Sequence, residues 1–262
     1  MIMTRGYVTG RWGQVHYRAS GESGPTVVLV HESPISSEEY AHALPELGRS
    51  VRAVAFDTPG YGLSDPPPAP QEIPDYAAAL LEAADVLGLG DFAVVGTHTG
   101  ASIAVQMAVQ ADPGRVTHAV LSGIPLMRPE TRAMLLETWA PETPPRPDGS
   151  HFAEVWARYA AQGDPPPDFI TTLACSLFSV WERYNWAYNA AFRYDPAPDL
   201  PSLTCPTLFL TAASDLLLRA DERALRVVPD GRLTVVEGRS HPLPWCVPER
   251  FAREIAAFVA GG

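Results

Sequence analysis

The chain has 262 residues, a formal net charge of −11 and 19 basic residues, every one of them arginine. The absence of lysine excludes Schiff-base chemistry and a Walker A loop, and the absence of any basic run argues against phosphate-backbone binding. Apolar residues make up 46% and charged residues 19%, enough for one large α/β core and too apolar for a disordered chain.

Cys175, Cys205 and Cys246 are odd in number and far apart, so they read as free thiols of a reducing compartment. No apolar run reaches membrane length, and Met1 to Arg11 carries no secretory segment. These features predict a cytoplasmic protein acting on a small molecule, with no nucleic-acid or membrane partner; they leave the oligomeric state open.

Gly6–Gly10 and Trp12–Arg18 predict two short antiparallel strands. Thr26–His31 is a continuous β-branched run, as expected of a strand buried on both faces, and Val51–Asp57 is a second. Pro74–Leu87 predicts a helix, Phe92–Gly96 a buried strand, Thr99–Gln110 an Ala-rich helix and Val116–Ser122 another strand. Between Pro125 and Pro201 no buried strand is evident. That stretch is rich in Pro, Trp and Tyr, with helical segments at Arg128–Trp139, His151–Ala161 and Phe169–Phe192. Alternation resumes with Thr207–Thr211, Arg219–Val227, Arg232–Glu237 and Pro248–Ala260. The pattern predicts an α/β core of residues 1–125 and 202–262, with a mostly parallel sheet between two layers of helices. Residues 126–201 would be a helical cap inserted at one edge.

Ligands in such sheets bind at the carboxyl ends of the strands. Those ends carry His31-Glu32-Ser33-Pro34, Asp57-Thr58-Pro59-Gly60-Tyr61-Gly62, Gly96-Thr97-His98-Thr99-Gly100, Ser122-Gly123, Ser214-Asp215 and Ser240-His241-Pro242. Gly-x-His-x-Gly after a buried strand and before a helix has the form of a nucleophile elbow, and Asp215 and His241 follow in triad order.

With these residues the chain resembles the α/β-hydrolase superfamily over nearly its whole length. The likeness is greatest to the capped branch that holds epoxide hydrolases, haloalkane dehalogenases and small esterases. The resemblance implies an α/β-hydrolase fold with a cap between the sixth and seventh strands. It also implies a triad at His98, Asp215 and His241, and an oxyanion hole from the backbone N–H groups of Ser33 and Thr99. Two departures stand out: His98 where the family has Ser, Asp or Cys, and Glu32 where it usually has Gly.

A histidine at a helix N-terminus is expected to be neutral. It could attack an acyl carbon, or position water that His241, oriented by Asp215, activates. The same residues could instead serve a lyase, an isomerase or a cofactor-free oxygenation, or line a binding pocket that has lost catalysis. Dehalogenation and epoxide opening by the usual route are disfavoured, because an alkylated imidazole has no carbonyl for water to attack.

The leading expectation is hydrolysis of an ester, thioester or lactone of a mid-sized apolar or aromatic substrate, with no cofactor and no metal. His31 and Asp57 read as structural, Glu32 as a loop charge or a pocket carboxylate, and His16, His42, His118 and His151 as residues without a partner signal. Trp139, Trp156, Trp181 and Tyr184, with Glu32, are the expected pocket residues.

Overall fold

The computed structural model describes residues 2–162, 165–238 and 241–261. Eight strands form one sheet: β1 (Met3–Gly10), β2 (Gly13–Ser20), β3 (Thr26–Val30), β4 (Arg52–Phe56), β5 (Phe92–Thr97), β6 (Val116–Ser122), β7 (Thr207–Ala212) and β8 (Gly231–Val236). Their order is β1-β2-β4-β3-β5-β6-β7-β8. The first two strands pair antiparallel, β2 pairs antiparallel with β4, and every other pairing is parallel. Together with the helices this is an α/β-hydrolase fold.

The central strands are apolar throughout because both of their faces are covered. Val28 and Val30 of β3 join the core beneath helices α2 (Ile73–Val86) and α3 (Thr99–Gln110), whereas Val27 and Leu29 join the core on the other face. That second face is covered by α1 (Leu44–Leu47) and by α10 (Pro248–Ala260), which buries Phe251, Ile255 and Val259. Each fully buried Val or Leu contributes about 1.5–3 kcal/mol of apolar burial.

Among the described residues between β6 and β7 run α4 (Pro129–Thr138), α5 (Ser150–Ala160), α6 (Pro167–Ser179) and α7 (Trp186–Arg193). The sequence suggested one helical stretch from Phe169 to Phe192, but the structure divides it. The core holds the intervening bend: Tyr61 donates its hydroxyl to the carbonyl of Tyr184 at 3.0 Å, and Arg183 Nε donates to the carbonyl of Gly60 at 2.9 Å. After β7 come α8 (Leu218–Ala224), β8 and α9 (Leu243–Cys246). Among the described residues, no helix is long and apolar enough to cross a membrane.

Candidate active site

His98 sits on the turn between β5 and α3 with φ +48°, the one non-glycine residue at positive φ among the described residues. A side chain held in that strained region needs support from its surroundings. Here His98 N–H donates to the carbonyl of Ser122 at 2.8 Å. The flanking glycines permit close approach of backbones: a Cβ on Gly96 would lie 2.2 Å from the Gly100 carbonyl oxygen, and one on Gly100 would lie 2.1 Å from that of Val30.

Both ring nitrogens of His98 are engaged. Nδ1 lies 2.7 Å from Glu32 Oε2, and Nε2 lies 3.0 Å from Asp215 Oδ2 and 3.2 Å from Oδ1. His241 Nδ1 approaches the same Asp215 Oδ2 at 3.4 Å, and the two imidazoles stack with centroids 5.4 Å apart. Asp215 is also fixed by the N–H of Leu217 at 2.7 Å.

Burial opposes charge on His98, but the carboxylates of Asp215 and Glu32 outweigh it and hold its pKa well above the ordinary histidine value. The helix N-terminus had suggested a neutral ring. Two carboxylates in direct contact overcome the dipole, which is worth only about 0.3–1 kcal/mol at such a position. Asp215 loses from burial, yet His98 and His241 bring it far below the usual carboxylate range. Glu32 therefore faces the site rather than solvent.

Glu39, which the sequence did not single out, supports this row from behind. Its carboxyl is fully buried and accepts the Glu32 N–H at 2.9 Å. Burial and the neighbouring Glu32 push its pKa up to about 8.

Gly123 follows a strand end that the sequence marked, but its contact with His98 was not signalled. A Cβ there would lie 2.3 Å from His98 Cδ2 and 3.1 Å from Asp215 Oδ2, and its φ is +66°. The buried Asp221 clamps this loop, accepting the N–H groups of Gly123 at 2.9 Å and Ile124 at 2.8 Å. Burial raises the Asp221 pKa to about 7.

His31 is structural: Nδ1 lies 2.6 Å from the carbonyl of Glu32, Nε2 accepts the Thr58 N–H at 2.9 Å, and burial lowers its pKa. Asp57 ties its turn through the N–H groups of Ser37 and Leu63, each at 2.8 Å. It also pairs with His16 Nδ1 at 2.8 Å, so His16 has a buried partner that its sequence context did not signal. His151 also has a partner, accepting the N–H of the exposed Arg146 at 3.2 Å. Ser240 lies outside the described residues.

A cavity of about 650 Å³ opens over the strand ends. Glu32, His98, Thr99 and His241 lie at its base, Trp139, Tyr159, Phe169 and Tyr188 line its wall, and Arg128, Arg219 and Arg223 also border it, each substantially exposed. Of the expected pocket residues only Glu32 and Trp139 line it. Trp156 lies in a separate groove with Phe152, one position-four step away on the outer face of α5, whereas His151, Val155 and Tyr159 occupy the buried face. Trp181 points outward at the bend, and Tyr184 is buried under the cap with its hydroxyl on the Pro141 carbonyl. Thr99 is on the cavity wall, whereas Ser33 is buried outside it, its hydroxyl engaged with Tyr61.

The donor atoms of His98, Asp215 and His241 lie within 4.8 Å of one another and could hold a metal ion. Chemically, the site offers an imidazolium between two carboxylates, a second imidazole on the shared carboxylate, and an apolar chamber above them.

A sequence model described as the Alpha/beta hydrolase family matches residues 27–256. The chain is 28% identical over 264 residues to a 2-hydroxy-6-oxononadienedioate/2-hydroxy-6-oxononatrienedioate hydrolase of Pseudomonas putida, covering 94% of this chain and 91% of that protein. A thermophilic esterase from Thermogutta terrifontis, solved with malate bound, superposes with a TM-score of 0.78 at 23% identity over 98% of each chain. The enol-lactonase of Burkholderia xenovorans does so with a TM-score of 0.78 at 19% identity, over 97% of this chain and 100% of that one. With the sheet order, the helices between β6 and β7 and the strand-to-helix turn at His98, these matches make the chain a member of the Alpha/beta hydrolase family and an enzyme of the hydrolase fold.

Proposed function

We propose that the protein hydrolyses an ester, thioester or lactone of a mid-sized, largely apolar or aromatic substrate, by direct attack of water. The observation that carries this reading is the double engagement of His98, at 2.7 Å to Glu32 and 3.0 Å to Asp215. With a proton on each nitrogen, the ring has no lone pair for attack on a carbonyl, so an acyl-imidazole is disfavoured.

His241 is then the base. Its Nδ1–H is directed at Asp215, which leaves Nε2 as an acceptor. Nε2 takes a proton from water while the hydroxide oxygen bonds to the carbonyl carbon. The resulting oxyanion is met by the Thr99 N–H on the cavity wall and by the nearby positive charge of His98; Ser33, whose N–H the sequence suggested as a second donor, is buried outside the cavity. Collapse breaks the bond to the leaving oxygen or sulfur, and His241 returns the proton to it. The products are an acid and an alcohol or thiol. His98 acts as a fixed cation that holds Asp215 and favours negative charge above it.

The aromatic wall of the cavity supports an apolar substrate body, and the arginines bordering it support an acidic outer end. The Pseudomonas putida relative, named as a hydrolase of an oxo-dioate, is consistent with both.

A panel of p-nitrophenyl esters, thioesters and lactones tests the reading. Hydrolysis lost in both His241→Ala and His98→Ala, with no acyl adduct in mass spectra of quenched reactions, is the expected result. An acyl group on His98 would replace the water route with a covalent one. Failure of every carbonyl substrate would end the hydrolytic reading.

A further inference from the structure

We propose that His98, Asp215 and His241 also form a binding site for one divalent transition-metal ion of the zinc, cobalt or nickel type. The base of the cavity has three properties that such an ion requires.

The first is convergence. His98 Nε2 at 3.0 Å and His241 Nδ1 at 3.4 Å address the same oxygen, Asp215 Oδ2. Ligands about 2.1 Å from an ion stand roughly 3.0 Å apart on the edge of an octahedron and roughly 3.4 Å apart on that of a tetrahedron. Two of the three separations therefore already match those of adjacent ligands, and all three donor atoms lie within 4.8 Å of one another. Two imidazoles and one carboxylate suit borderline transition ions rather than calcium or magnesium.

The second is orientation. The other nitrogen of His98 is bound to Glu32 at 2.7 Å. A carboxylate on the far nitrogen of a histidine ligand fixes its tautomer and raises its basicity. The ligands are also held by the strained elbow backbone, by Leu217 N–H on Asp215 and by the space left at Gly123.

The third is access. Both imidazoles line the cavity, and Asp215 lies buried directly behind them; an ion among the three would sit at the cavity floor, with its open side toward the chamber.

The proton balance defines the consequence. The ion replaces the proton on His98 Nε2, which passes to solvent, while Nδ1–H stays on Glu32. At His241 the ring proton moves from Nδ1 to Nε2 as Nδ1 takes the ion. Nε2 can then no longer accept a proton from water, so the ion-bound and hydrolytic states exclude one another.

Chelator-treated protein is titrated with cobalt(II), reading its visible absorption. One equivalent should bind, zinc(II) should displace it, and His98→Ala and His241→Ala should abolish the band. Glu32→Gln should weaken binding roughly 10–100-fold. Because substitution at the elbow could disturb folding, the unmodified protein is also examined by NMR. One equivalent of cobalt(II) should shift the imidazole signals of His98 and His241 and leave those of His118 and His151, on other parts of the molecule, near their metal-free positions. No band, a band unchanged in both variants, or shifts confined to other histidines would overturn the site. Filling it with zinc(II) should suppress ester hydrolysis at least about a hundredfold, the low end of what a general base supplies; undiminished turnover would overturn the exclusion. Hydrolysis in excess chelator reads the proposed function alone, so either claim can fail without the other.

Discussion

The strand ends and the cap solve different physical problems. At the strand ends, Gly96 and Gly100 admit no Cβ because backbones approach so closely, Gly123 admits none because the His98 ring and the Asp215 carboxylate stand against it, and ionisable groups are set in a row from Glu39 through Glu32, His98 and Asp215 to His241. In the cap, α4 buries no residue, and Phe152 and Trp156 of α5 remain 55% and 38% exposed. Rigid backbone is what holds several buried charges at hydrogen-bond distance, because a small displacement would leave one of them unpaired at a cost of several kcal/mol. The cap only has to supply an apolar wall, and many packings can do that. On the proposed function, the chemistry belongs to the strand ends and the shape of the chamber to the inserted helices.

The contrast predicts a hierarchy of effects. His241→Ala should lower kcat/KM for a hydrolysed ester by roughly 10²–10⁴-fold with the circular dichroism spectrum unchanged, as removal of a general base does. A loss below tenfold would move the base elsewhere. Gly123→Ala should come next. The added Cβ meets the His98 ring and the backbone is in the left-handed region, so chemical denaturation should show a loss of about 1–3 kcal/mol, with turnover reduced alongside it. Retained stability and activity would mean that this loop yields easily and that the core is less rigid than its contacts imply. In Glu32→Gln, one of the two carboxylates that raise the His98 pKa is gone, and an NMR titration should show that pKa fall toward the ordinary range. At the small end, Met134→Gln on the exposed face of α4 should change stability by no more than about 0.5 kcal/mol and leave turnover unaltered.

The buried row also sets a pH dependence. His98, Glu39 and Asp221 all have folded-state pKa values above their ordinary ones, the last two at about 8 and about 7. The folded chain therefore holds protons that the unfolded chain releases. Their contribution to stability is complete below the unfolded values and is lost as pH rises through the folded ones. Asp215 works in the opposite direction only in strong acid, below its ordinary value, and His31 and His118, whose pKa values are lowered, oppose the trend below the ordinary histidine value. Urea unfolding should give a free energy that falls from pH 7 to pH 9. A flat or rising profile would show that these groups do not carry the protons assigned to them.

Much of this was legible in the chain. The runs Thr26–His31, Phe92–Gly96 and Val116–Ser122 announce buried parallel strands, observed within a residue of those bounds, and Gly96-Thr97-His98-Thr99-Gly100 announces a sharp turn. These are local signals, fixed by β-branching and by where glycine is required. The three-dimensional role of Gly123 was not legible, since its use depends on a ring twenty-five positions earlier. Neither was Glu39, whose neighbour Glu38 looks the same in sequence but lies at the surface end of the turn and pairs with Arg18. The aromatic residues of the cap were visible, but their direction was not: Trp139 faces the cavity, whereas Trp156 and Trp181 do not.

The amino-acid order determined the strands, the elbow and the identities of the groups that meet there, because backbone geometry and the spacing of apolar residues act over a few positions. The charge on His98 was decided only by tertiary structure. Its two carboxylate neighbours come from the ends of β3 and β7, and their field, which falls off within a few ångströms, exists only once the sheet brings those ends together.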